Sequence, residues 1–198
     1  MDPINTSQSS INRLLPVKAA VVAVAVTAVG TASTQGLTGT TTKPASGGVA
    51  TFTDLGKTGT IGDKRLTFTS TGLSSDTQDF TLTFGAAYQL AMTSPATTVN
   101  DKVFGTQPVV TIQDQDGNTV ADSTATVTLS SSNATVGGTL LSSAVAMNAN
   151  SGVANFSGRN VKLTGNTGSK YLTATIAGGL TVTNSVTITF GAATQLAI

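Results

Sequence analysis

Apolar and polar residues alternate along most of this chain, and the alternation is short-ranged. Arg65-Leu66-Thr67-Phe68-Thr69 puts Leu66 and Phe68 on one face, and Phe80-Thr81-Leu82-Thr83-Phe84 repeats the pattern. Period two over four to eight residues is the mark of a half-buried strand. The same reading covers 49–53, 108–113 and 124–129, with Ala125, Val127 and Leu129 inward, and then 153–156, 161–163, 171–176 and 182–190. Between them lie breaks: 30–48 with Pro44 (turns and a short edge strand), a turn at 72–79, a loop through Pro95 and Asn100, and a turn at 114–118. About seven short strands at roughly 10-residue spacing in the second half predict an antiparallel Greek-key sandwich. No stretch holds helical periodicity long enough to matter, so the expected class is all-β.

One phrase occurs twice. Phe84-Gly85-Ala86-Ala87-Tyr88-Gln89-Leu90-Ala91-Met92 returns 106 residues later as Phe190-Gly191-Ala192-Ala193-Thr194-Gln195-Leu196-Ala197-Ile198. Gly48-Val49-Ala50-Thr51-Phe52 returns 104 residues later as Gly152-Val153-Ala154-Asn155-Phe156. That spacing is one small domain, too long for a solenoid repeat. The pattern predicts a tandem duplication: a polar arm over 1–12, an incomplete copy over 13–85, a fuller copy over 86–190, and the first strand of a further repeat over 191–198.

The run from Leu14 to Val29 has three readings. Its uncharged apolar part is about a dozen residues, where a membrane-spanning helix needs ~20. A secretory signal would use Arg13 and the apolar stretch, but Pro16 and Lys18 interrupt it. A strand would place Val22, Val24 and Val26 on one face and Ala23 and Ala25 on the other, as Val prefers. The strand is the preferred reading.

Composition narrows the chemistry. The 198 residues hold no His, Cys, Trp or Glu, and Thr is roughly a fifth of the chain. Charged residues are 10% of the chain, against ~25% in an average domain. The net charge of +1 gives no steering toward nucleic acid or an anionic membrane. Without His or Cys there is no Ser-His or Cys-His nucleophile and no zinc site of the usual ligand set. Asp, Lys, Tyr, Ser and Thr remain, and nothing concentrates them, so no enzyme, no cofactor and no small-molecule substrate is expected.

The segment Thr106-Gln107-Pro108-Val109-Val110-Thr111-Ile112-Gln113-Asp114-Gln115-Asp116-Gly117-Asn118-Thr119-Val120 resembles bacterial immunoglobulin-like repeats, the modules strung in tandem in invasin- and intimin-like surface proteins. Gly152-Val153-Ala154-Asn155-Phe156 and Tyr171-Leu172-Thr173-Ala174-Thr175 look like later strands of that module, and Gln195-Leu196-Ala197-Ile198 like its opening strand. The likeness covers 86–190 well and about 36–85 as a less complete copy; 1–19 do not match the module's opening. It implies two tandem Ig-like β-sandwiches, a rigid spacer or display role, sometimes on viral particles, and usually no catalysis.

The expected role is therefore a structural protein of an extracellular or virion assembly, such as a fibre, a filament, or a capsid or tail decoration. Its partners are copies of itself or other subunits of that assembly. Thr194, Gln195, Leu196, Ala197 and Ile198 are the candidate assembly residues: a strand given to a neighbour whose first sandwich lacks one. Set ahead of it is the plainer reading that 14–17 fills that place in cis and the tail packs locally; a third is that the chain is a fragment of a longer array. A different class of reading is an adhesin that binds a glycan or host protein through loops such as 114–118. Asp114, Asp116 and Asn118, with Asp122 nearby, form a calcium candidate, but the third acidic position and terminal Glu of an EF-hand loop are missing. The preferred reading there is a hairpin turn with Gly117 and Asn118 at positive φ. Asp76 with Asp79, and Asp63-Lys64-Arg65, read as solvated turns. Asn133-Ala134-Thr135 and Asn155-Phe156-Ser157 match the glycosylation pattern, which in a bacterial or phage protein is usually accidental.

Overall fold

The computed structural model describes residues 14–16, 23–29, 36–133, 138–141 and 146–191. Among them every regular element is a strand, so the fold is all-β. Contacts divide the chain into two compact units, Met1–Ala86 with Asp116–Asn118, and Ala87–Gln115 with Thr119–Ile198.

The first unit holds β1 (Leu14–Pro16), β2 (Val24–Val29), β3 (Leu37–Thr38), β4 (Thr42–Lys43), β5 (Val49–Thr51), β6 (Gly56–Lys57), β7 (Gly62–Thr69) and β8 (Asp76–Leu82). One sheet runs β4-β2-β7-β8; β1 pairs with β5, and β3 with β6. The Val-rich run is a strand over β2, with Val24 and Val26 buried and Ala23 and Ala25 half-buried. Val22 lies outside the described residues. Val24, Val26, Leu66 and Phe68 from the four-stranded sheet pack with Ala50 of β5, Phe52 and Leu55 in one cluster. The Phe52 and Phe68 rings sit 6.1 Å apart at 53°, a tilted arrangement that aromatic pairs favour. The core is thus what two facing sheets enclose.

The second unit holds β9 (Gln89–Thr93), β10 (Thr97–Val99), β11 (Val109–Gln113), β12 (Thr126–Asn133), β13 (Gly138–Leu141), β14 (Ala146–Asn148), β15 (Val153–Asn155), β16 (Lys162–Gly165), β17 (Gly168–Thr175) and β18 (Thr181–Thr189). A five-stranded sheet runs β10-β18-β17-β12-β14, a three-stranded one β15-β11-β9, and β13 pairs with β16. Leu90, Val110, Ile112 and Ala154 are the buried apolar residues of the smaller sheet; Val127, Leu129, Leu172, Ala174, Val186 and Ile188 are those of the larger, which also buries Thr98 and Lys170.

The two units repeat the same pairing registers. Leu15↔Ala50 in β1–β5 answers to Val110↔Ala154 in β11–β15. Val26↔Phe68 answers to Leu129↔Ala174, Val24↔Lys43 to Val127↔Met147, and Leu37↔Lys57 to Leu140↔Leu163. β1 therefore stands where β11 stands, not where β9 does.

Several expectations need correction. Asp63-Lys64-Arg65 is not a turn but the opening of β7, with Asp63 and Arg65 outward and Lys64 buried. Asp76 and Asp79 lie in β8, so the turn ends before 76. Charged residues misled here because an exposed strand face carries them as readily as a turn does. The loop through Pro95 and Asn100 contains β10, which pairs parallel with β18, so pairing is not antiparallel throughout. Pro95 lacks the N–H to continue β9, and the chain leaves the smaller sheet there for the larger one.

Candidate functional site

The edge of β1 is built by the hairpin that precedes β5. Ser46 and Val49 exchange both backbone hydrogen bonds, at 2.8 and 3.0 Å. The two residues between them, Gly47 and Gly48, have φ of 59° and 80°. Positive φ at both central positions is the type I′ pattern, whose twist suits a two-residue hairpin. Because Val49 spends its N–H and C=O on Ser46, it faces away from β1. Its register partner Pro16 must then face away from β5, toward the other edge. Proline is tolerated there because no ladder bond to β5 needs its N–H. Leu15 pairs with Ala50, and the outer edge offers the Leu14 amide and carbonyl and the Pro16 carbonyl.

The second unit repeats the device. Asn150 and Val153 exchange hydrogen bonds at 2.9 and 3.0 Å around Ser151 and Gly152, at φ 50° and 76°. Here, however, the outer edge of β11 is covered. β9 pairs along it from Gln89↔Gln113 to Thr93↔Val109. Among the described residues β1 has β5 alone. The sequence that covers β11 contains the repeated phrase, whose second copy includes the assembly candidates Thr194, Gln195, Leu196, Ala197 and Ile198. These five lie outside the described residues, as do the arm over 1–12 and Val17.

The calcium candidates are dispersed in role. Asp114 is 3% exposed. Asp116–Asn118 groups by its contacts with the first unit. There the Asp116 carboxylate accepts the Gly59 N–H at 2.9 Å, and the Asn118 amide accepts from Ile61 N–H at 3.1 Å and donates to Gly59 C=O at 2.9 Å. Among the described residues no three His, Cys, Asp or Glu side chains converge on a metal-sized site. The turn is closed by a Gln113↔Thr119 bridge. Of its residues only Gly117 has positive φ, at 83°, so the expectation of positive φ at Asn118 is corrected: one αL residue is enough for this return. Asp122 is exposed.

Two ion pairs among the described residues lie at the surface. Arg65 donates to Asp79 through Nε at 2.6 Å and through its terminal nitrogen at 2.8 Å. That bond, more than the charge behind it, holds the Asp79 carboxyl below its usual range and raises Arg65. Lys162 does the same for Asp101 across 2.7 Å. A carboxylate with a depressed pKa adds stability above its unfolded value, near 3.9, that is lost as pH falls through the folded value. Both acids face solvent, so that contribution is small. Desolvation pushes the Lys57 ammonium down, with Lys64 adding to the effect and Asp116 opposing it.

A pocket of about 540 Å³ opens on the second unit, lined by Thr126, Met147, Asn148, Asn150, Asn155 and Arg159 among others. Among the described residues its lining has one cation, several amides and no carboxylate, hence no acid–base pair. The Asn155 side-chain Oδ1 accepts the Ser157 N–H at 2.9 Å, which closes a local turn within that glycosylation-type triplet. Residues 134–135 of the other triplet lie outside the described residues. No helix among the described residues is long and apolar enough to cross a membrane.

No protein-family model matches the chain, and none of the curated proteins does. Solved structures with some likeness include a glycosyl hydrolase family 2 member from Bacteroides cellulosilyticus, at 11% identity and a TM-score of 0.45 over 85% of this chain and 22% of that one. A β-glycosidase from Bacteroides vulgatus is 14% identical with a TM-score of 0.41, over 91% and 25%. Domains 1–6 of the surface layer protein SbsC are 16% identical with a TM-score of 0.37, over 86% and 20%. The chain thus spans about a fifth to a quarter of the length of each of these structures.

Proposed function

We propose that this chain is a non-enzymatic structural subunit of an extracellular or virion assembly, built from two modules of the bacterial Ig-like kind and joined to neighbouring copies through the phrase at 194–198. The observation that carries this reading is the register equivalence of the two units. The strand that covers β11 is β9, and the only other copy of its sequence is the phrase beginning at Phe190. The inventory agrees with it. The chain has no His or Cys for nucleophilic catalysis, and its described carboxylates are scattered instead of paired in a cleft. Apolar side chains also remain outside on the second unit: Phe190 is 83% exposed, with Val99 and Val103 exposed as well.

The test is sedimentation of the full chain over a wide concentration range. Association into species heavier than the 19.7 kDa chain, in discrete steps, is the expected result. A protein that stays monomeric at every concentration would sink the reading and favour a ligand-binding surface domain.

A further inference from the structure

We infer that the outer edge of β1 is the acceptor for residues 194–198 of a second copy, in the register that sets Ala197 opposite Pro16 and Ile198 opposite Leu15. This rests on the reading above that copies join through that phrase, and it names the surface they join to.

The register comes from the internal duplication. β1 occupies the place of β11, because Leu15↔Ala50 and Val110↔Ala154 are equivalent pairs in units that share the 48–52 and 152–156 sequence. Along β11, Ala91 sits opposite Thr111 and Met92 opposite Val110. The repeated phrase equates Ala91 with Ala197 and Met92 with Ile198. Carrying the pairs across puts Ala197 on Pro16 and Ile198 on Leu15. The same transfer keeps the faces right: Leu90, the equivalent of Leu196, is buried, while Gln89 and Ala91 face outward.

Pro16 sets the character of this joint. Its place in β1 corresponds to Thr111, and its nitrogen lies on the outer edge. An incoming Ala197 can donate its N–H to the Pro16 carbonyl but receives no N–H in return, where a non-proline residue would exchange both bonds. The edge is therefore half-blunted. Two β1 edges from different copies pair poorly, which is what proline on an edge strand achieves. A strand such as 194–198 brings the apolar Leu196 and Ile198 to the joint in addition to its backbone hydrogen bonds. The joint is heterologous, donor phrase to acceptor edge, so it propagates as a ring or a filament.

The chain has no cysteine, so introduced thiols report without background. Pro16→Cys and Ala197→Cys are made as separate full-length variants and mixed under mild oxidation. A hydrogen-bonded pair of antiparallel residues is ~5.5 Å apart at Cα, within disulfide reach. The expected result is a mixed disulfide between chains, joining the thiols introduced at positions 16 and 197, several-fold above that from Pro16→Cys mixed with the off-register variant Gln195→Cys. If the chains associate in solution but give no excess of that link, this edge is the wrong acceptor while the assembly reading stands. If they never associate, both fail. An internal link formed at high dilution in a chain carrying both substitutions would make the occupant the chain's own terminus and overturn the second copy. Pro16→Thr is an independent check. Restoring one backbone donor is expected to tighten association about fivefold, and unchanged or weaker association would overturn the assignment.

Discussion

Phe156→Ala is expected to remove about 3–5 kcal/mol of stability, a large share of the ~5–15 kcal/mol a domain has to lose. The side chain is fully buried, and its amide donates to Pro108 C=O just beyond the β11–β15 ladder, so the ring has no route to relax toward solvent. The repeat supplies an internal replicate. Phe52 is the equivalent residue of the first unit, also fully buried and stacked at a tilt on Phe68, and Phe52→Ala should cost a similar amount. Phe190→Ala is the control. At 83% exposure its truncation should move stability by less than about 0.5 kcal/mol. Urea unfolding of the three variants checks this. If Phe156→Ala costs no more than Phe190→Ala, the core has been placed wrongly.

Gly152→Ala should cost about 2–4 kcal/mol through two effects that add: backbone strain and overpacking. The residue has φ of 76° in a two-residue hairpin, which L side chains adopt only with strain. A Cβ there would also lie 2.5 Å from the Val120 carbonyl oxygen and 2.8 Å from Thr119 Cγ2, which is overpacking against backbone that cannot swing aside. Gly178→Ala separates the two. Its φ is 93°, but nothing lies within 4 Å of the added methyl, so it carries the strain alone. Thermal or urea unfolding should rank Gly152→Ala below Gly178→Ala, and equal losses would contradict the close approach of Gly152 to the 119–120 backbone.

How much of this could be read from the residues follows from what each pattern depends on. Leu66, Phe68, Val127 and Leu129 were legible as core because burial on one face of a strand leaves a period of two in the sequence. β2 was legible for the same reason, and because valine's branched side chain favours a strand. Lys64 was not: its neighbours Asp63 and Arg65 made it look solvated, and only the pleat of β7 turns it inward. β10 was missed because a strand as short as Thr97–Val99 cannot show a period, and its parallel partner β18 is far away in the sequence. The outer edge of β1 was half legible. The repeated phrase announced a strand with a second copy, but placing β1 as the counterpart of β11 and not of β9 needed the pairing of Leu15 with Ala50. Pro16 gains its meaning only from that pairing, since a proline's effect on a strand depends on which edge its nitrogen faces. The calcium candidate shows the converse: Asp114, Asp116 and Asn118 are close in sequence, yet Asp116 and Asn118 spend their side chains on the backbone at Gly59 and Ile61.

The most direct test is the mass in solution, by light scattering after gel filtration, of the 198-residue chain beside a chain ending at Phe190. The full chain is expected to assemble beyond 19.7 kDa and the shortened chain to be a folded monomer. Equal masses for the two chains, whether both monomeric or both assembled, would contradict this.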